Sequence, residues 1–204
     1  MSKEAKDKSG DAASEPMAPS RLRLKFQDEV SAKAGEKFAM ANPMSRPSMD
    51  KIVINVNMGR HLDGAKLPAN VRDTVLDTLT TISGQKPILI KAKKSVANFK
   101  VREGMPTAAM VTLRRDRMWH FLDRLINLAS PRIKDFRGLS DKSFDQAGNY
   151  SMGLSEQAVW PEINMANVNF THGMHINICF NKSDAEKSRY ILEELGMPFK
   201  KEGA

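Results

Sequence analysis

Residues 83–114 read SGQKPILIKAKKSVANFKVREGMPTAAMVTLR, and their reading decides the fold. Gly84 stops a helix. An apolar run around Ile88, Leu89 and Ile90 marks a strand over about 86–91, and TAAMVTLR marks another over about 107–114. Val111 and Leu113 alternate with Thr112 and Arg114, so the last two share one sheet face. The intervening loop, 92–106, adjoins or contains Lys91, Lys93, Lys94, Lys100 and Arg102 against the single acid Glu103. A loop near fifteen residues in a compact domain is generally functional or disordered. This one is too charged to fold alone and is expected to form a mobile cationic finger, anchored by its strands and relieved of self-repulsion beside a polyanion.

Outward from this hairpin, KIVINVNMG (51–59) reads as a strand with Ile52, Ile54 and Val56 on one face and Val53, Asn55 and Asn57 on the other. Leu22, Phe26, Val30 and Phe38 predict an amphipathic helix over about 21–39. A second helix spans Val71 to Ile82, with Asn70 and Asp73 as a capping box, and a third carries Met118, Phe121, Leu122, Leu125 and Ile126. Residues 132–153, rich in Gly, Asp and Ser, read as a second long loop. Residues 154–160 and 173–180 read as strands. Ser183 and Glu186 form a second capping box before a last helix. Strands and helices without βαβ alternation imply an α+β fold: a largely antiparallel sheet, helices on one face, the other face open. Residues 1–20 lack the apolar area to order themselves and read as a disordered tail. Residues 21–204 read as one domain.

Charge is distributed unevenly. The net formal charge is +8, yet residues 21–137 alone carry 23 bases and 11 acids. Nucleic acid is the usual partner of such a basic block. No apolar run approaches the roughly 20 residues of a membrane span. Cys179 is the only cysteine, so no internal disulfide forms and a reducing, cytoplasmic setting fits.

Catalytic and metal signals are poor. His172 and His175 flank Gly173 with no cysteine or acid at metal-ligand spacing, and read as surface histidines at a strand start. Cys179 alternates within an apolar strand and reads as buried and inert. Asp141, Asp145, Glu156 and Glu162 form no acid/base pair. No phosphate-binding glycine motif occurs. An enzyme, a cofactor and a metal are therefore not expected. Asn55, Gln85, Thr112 and Arg114 instead place amides, a hydroxyl and a guanidinium on the uncovered sheet face, groups that bond ribose hydroxyls and phosphates. Arg115 and Arg117 extend the basic surface. Phe99 is the one aromatic in the finger, so backbone and shape recognition is favoured over base stacking.

Several stretches together closely resemble the bacterial ribosomal protein L5 family: KIVINVNMG, SGQKPILIKAKKSVANFKVREGMP, VTLRRDRMWHFLDRLINLASPRIKDFRGLS, KSFDQAGNYSMGLSEQAVWPEIN and LEELGMPFK. The resemblance runs in order from about residue 21 to residue 201. It implies a non-catalytic constituent of the large ribosomal subunit that binds 5S rRNA in the central protuberance, contacts 23S rRNA, and localises with the ribosome in the cytoplasm. Asn55, Gln85, Thr112 and Arg114 fall where it implies rRNA contacts, and Lys86 and Arg115 beside them are candidate rRNA contacts of this chain. The finger, with Lys91, Lys93, Lys94, Ser95, Asn98, Phe99, Lys100 and Arg102, resembles the loop that reaches toward P-site tRNA. The second loop, with Arg132, Lys134, Asp135, Arg137, Lys142 and Asp145, resembles the surface facing small-subunit protein S13 across an intersubunit bridge. Other proteins of the 5S particle are implied partners. An RNA-processing enzyme and an extraribosomal RNA-binding or regulatory module are the rival readings. The chain departs from the family in four places, one being the late stretch NVNFTHGMHINICF (167–180), which lacks the basic residues common there. Asn57 replaces a glycine and is expected to keep the turn by tolerating positive φ. Gln146 and Ala147 replace Gly and Arg. Arg115 stands where VTLRG has glycine.

Overall fold

The computed structural model describes residues 19–61, 66–165, 168 and 170–200. Most of the expected tail, residues 1–18, lies outside the described residues. β1 (Ser48–Asn57) is the centre of a five-stranded sheet ordered β2-β3-β1-β5-β4. Its partners are β2 (Ile88–Lys91), β3 (Pro106–Leu113), β4 (Tyr150–Leu154) and β5 (Met174–Asn181). Every pairing is antiparallel.

The alternation read in the sequence sets the burial. Ile52, Ile54 and Val56 are fully buried, in register with Leu113, Val111 and Ala109 on β3. Ile176 and Ile178 of β5 continue the same layer opposite Ile54 and Ile52. Burying side chains of this size stabilises by about 1.5–3 kcal/mol each.

The helices cover this face. α1 (Arg21–Lys25) passes through a π-helical turn, Phe26–Val30, into α2 (Ser31–Lys37). α3 (Ala69–Ser83) ends at Gly84, whose φ of 64° forms a left-handed cap. α4 (Arg115–Arg124) packs on β1, and α5 (Ala185–Glu194) packs on α2. Phe121 of α4 stacks on the fully buried Trp160 with ring centroids 5.1 Å apart. The architecture is the α+β fold expected, with the opposite sheet face bare.

Local readings need correction. The strand expected over 154–160 lies earlier, at Tyr150–Leu154, where YSMGL alternates buried and exposed. Beyond it, Gln157–Val159 forms a 3₁₀ turn instead. The buried Gln157 amide bonds the backbone of Phe170 and His172, standing in for a strand neighbour. Neither capping box forms. α3 starts behind Pro68, Asn70 Oδ1 accepts from Val71 N–H, and Asp73 pairs with Arg72. Ser183 Oγ bonds Ser188 Oγ, and Asp184 occupies the N-cap. Asn57 stays extended within β1, and its side chain accepts from Gly59 N–H at 2.7 Å, holding the turn without positive φ.

The finger is more ordered than its charge implies. Ala92 and Gly104–Met105 continue the hairpin beyond β2 and β3, and Val96 and Val101 exchange backbone hydrogen bonds of 2.9 and 3.2 Å. A 3₁₀ turn at Ala97–Phe99 and a left-handed Lys100 close the tip. Ser95 Oγ accepts from Glu103 N–H at 2.9 Å. Local backbone pairing, rather than a core, holds this segment in shape.

Candidate nucleic-acid interface

The bare face is built from side chains that alternate with the core. One cross-strand row runs Ile88, Met110, Asn55, His175 and Gly153, and the next runs Thr112, Val53, Asn177 and Ser151. Asn55 and Thr112 are therefore diagonal neighbours on adjacent strands. The Asn55 Oδ1 is shielded and has no hydrogen-bond partner among the described residues. A buried acceptor left in that condition costs free energy until a donor arrives. A ribose 2′-hydroxyl is such a donor, met once the amide turns outward from its shielded position.

The other expected rRNA contacts surround this patch unevenly. Gln85 is half-buried between α3 and β2, its backbone N–H fixed to Ser83 Oγ, while Lys86 beside it is exposed. Arg114 sits at the N-cap of α4 and is already engaged, its guanidinium 2.6 Å from Asp50. That exposed pair holds the fork in place and is weak enough to exchange for a phosphate. Arg115 is exposed and adopts φ 53°, a left-handed conformation costly for a non-glycine residue.

β5 contributes polar groups that the sequence reading left out. His175, Asn177 and Cys179 lie on the bare face, as the phase of MHINICFN implies once the strand's buried side is known. Cys179 is half-buried rather than enclosed, and burial pushes its thiol up. Lys51, in register with Cys179, adds a cation.

The finger projects from the β2–β3 end. Phe99 is 73% exposed at the tip. Lys91, Lys93, Lys94, Asn98 and Lys100 are exposed, and none of its cations joins an ion pair among the described residues. Their charge is free for an external anion.

The second loop is distinct. Arg132, Lys134, Asp135 and Arg137 border a groove of about 730 Å³ against β4. Lys142 is exposed. Asp145 is exposed and structures the loop locally: Asn149 donates to it through N–H and Nδ2 at 2.6 and 2.8 Å, which holds its carboxyl below the usual range. Asn149 Oδ1 in turn accepts from Phe180 N–H.

The histidines also differ from expectation. His172 is 4% exposed rather than at the surface. It lines a cavity with His175 and His61 near the end of β1. Among the described residues, no group of three or more His, Cys, Asp or Glu is arranged to hold a metal, and no helix is long and apolar enough to cross a membrane.

Comparison with known proteins identifies the family of the chain. Residues 42–102 match the family described as "Ribosomal protein L5", and residues 106–199 match the model of that family's C-terminus. The chain belongs to the ribosomal protein L5 family. It is 47% identical over 182 residues to the large ribosomal subunit protein uL5 of Rippkaea orientalis, covering 89% of this chain and 99% of that one. It is 47% identical over 184 residues to uL5 of Corynebacterium diphtheriae, covering 90% and 96%. To uL5 of Anaeromyxobacter it is 43% identical over 180 residues, covering 88% and 98%. The L5 resemblance noted in the sequence is thereby confirmed. These relatives are constituents of the large ribosomal subunit, and L5 membership assigns this chain to the same class of translation-linked RNA-binding proteins.

Proposed function

We propose that this protein is a structural, non-catalytic component of the large ribosomal subunit that holds 5S rRNA on its bare sheet face. The observation that carries the reading is the Asn55 Oδ1, shielded and without a partner among the described residues, beside Thr112 on the sheet face whose side chains are the more exposed ones of β1, β3 and β5. Asn55, Gln85 and Thr112 bond ribose and phosphate oxygens, while Lys86, Arg114 and Arg115 neutralise phosphates at the rim. The finger reaches toward P-site tRNA with its unpaired cations, Phe99 at its tip. The groove-forming loop faces small-subunit protein S13 through Arg132, Lys134, Asp135 and Arg137. Contacts to 23S rRNA and to other 5S-particle proteins complete the setting. Residues 21–204 act as one domain preceded by a tail.

Thr112→Val and Gln85→Leu test this, because each keeps shape and deletes a hydrogen-bonding group. Each is expected to weaken binding of a 5S transcript by about 1–3 kcal/mol in a filter-binding titration, with melting unchanged. Wild-type affinity in both variants removes the sheet face from the interface.

A further inference from the structure

A cavity of about 560 Å³ opens at the far end of the bare face, where β1 ends and β5 begins. Its wall carries Arg60 and His61 from the turn after β1, and His172 and His175 from the start of β5. Asn57 supplies an amide, and β4 supplies Gly153 to Ser155, which carry no titratable group. Among the described residues lining the cavity there is no acid. One guanidinium and three imidazoles around a hollow with no acid among its described lining residues form a site for an anion.

His172 sets the inner wall. Its Nδ1 lies 3.4 Å from the Gly173 carbonyl oxygen, and its Nε2 is buried without a partner among the described residues. Burial holds this imidazole below its ordinary range, the Gly173 carbonyl opposes that, and the charge of His61 adds to the lowering. An anion entering the hollow reverses the balance, since it stabilises the protonated ring. His175 is continuous with the proposed RNA surface: it faces Asn55 across β1 and Gly153 across β4. The virtual Cβ of Gly153 falls 3.7 Å from His175 Nδ1, so the ring leans over a strand position that carries no side chain.

We propose that this cavity takes a phosphate group, supplied by the backbone of the RNA lying on the sheet face. The proposal rests on the sheet-face reading for the source of the phosphate and on the cavity alone for its chemistry. Anion binding and protonation of the His172 ring then favour each other, because burial lowers the pKa of that ring and a bound anion opposes the lowering. No carboxylate on the described wall opposes this.

Two arms test it with the full chain. In the first, inorganic phosphate is titrated into the free protein and the histidine ring signals are followed by NMR. His61, His172 and His175 are expected to shift together, while His120 on α4 stays still as the control. Unmoved signals, or equal movement of all four, overturn the site. In the second arm, 5S transcript binding is measured for Arg60→Gln and His175→Gln, both exposed positions that leave folding intact by circular dichroism. Each is expected to lose about tenfold in affinity. Phosphate shifts combined with wild-type RNA affinity overturn the RNA source and reassign the cavity to a free anion. If wild-type protein ignores the transcript altogether, the sheet-face reading and the RNA source both fall, and the first arm alone decides the anion site.

Discussion

Replacing Arg115 by glycine separates what the residue costs the fold from what it gives the interface. Arg115 holds φ 53° at the first position of α4, and its side chain is exposed. An L-residue in this region is destabilised by about 1–2 kcal/mol, and glycine escapes that penalty. Glycine in turn loses about 0.5–1 kcal/mol through the greater freedom of its unfolded state. The difference favours Arg115→Gly by about 0.5–1 kcal/mol, since the exposed side chain forfeits little packing. For a chain of this size that is a rise of about 1–4 °C in melting temperature. RNA binding moves the other way, because one phosphate contact fewer lowers the slope of log affinity against log salt by nearly one. Arg115→Ala is the control: it deletes the charge and keeps the strain. Calorimetry and salt-dependent filter binding on the three proteins give the answer. If Arg115→Gly melts no higher than Arg115→Ala, the strain argument is wrong. If neither variant changes the salt slope, Arg115 does not touch phosphate.

Replacing Lys91, Lys93 and Lys94 together by alanine is expected to flatten the salt slope of RNA binding by about two to three, and an unchanged slope shows that the finger is only solvated. Asp145 is held below the usual carboxylate range by Asn149, so its contribution is present above the unfolded pKa and lost as pH falls through the folded value. Wild-type stability should therefore drop in the acid limb, below about pH 4, and Asp145→Asn should flatten that limb in pH-dependent urea melts. Ile54→Ala, at a fully buried position in the central strand, should cost about 2–5 kcal/mol in equilibrium unfolding.

The core strands were legible because their chemistry alternates. Ile52, Ile54 and Val56 announce one face of β1, and Val111 and Leu113 announce the same face of β3. The polar complement, Asn55 and Thr112, followed from that phase. β4 escaped because Tyr150–Leu154 is short, contains glycine, and follows a stretch of turn-forming residues. The capping boxes failed because Pro68 starts α3 early and Ser183 is drawn to Ser188. His172 was misread because its burial comes from a distant side chain, Gln157, that fixes its backbone. Strand order depends on pairings between remote segments, and no local pattern encodes them. The Arg114–Asp50 pair, between residues 64 apart, is likewise a tertiary fact.

The central place of β1 has a consequence for synthesis. Its edges are claimed by β3 and by β5, and Ile54 meets Ile176 more than a hundred residues later in the chain. A nascent chain that has completed β3 still presents an open hydrogen-bonding edge and half a hydrophobic layer until the last strand emerges. The side chains that β5 adds to the polar face, His175 and Asn177, arrive only then, so the surface offered to a ligand is finished when β5 emerges and not piecemeal.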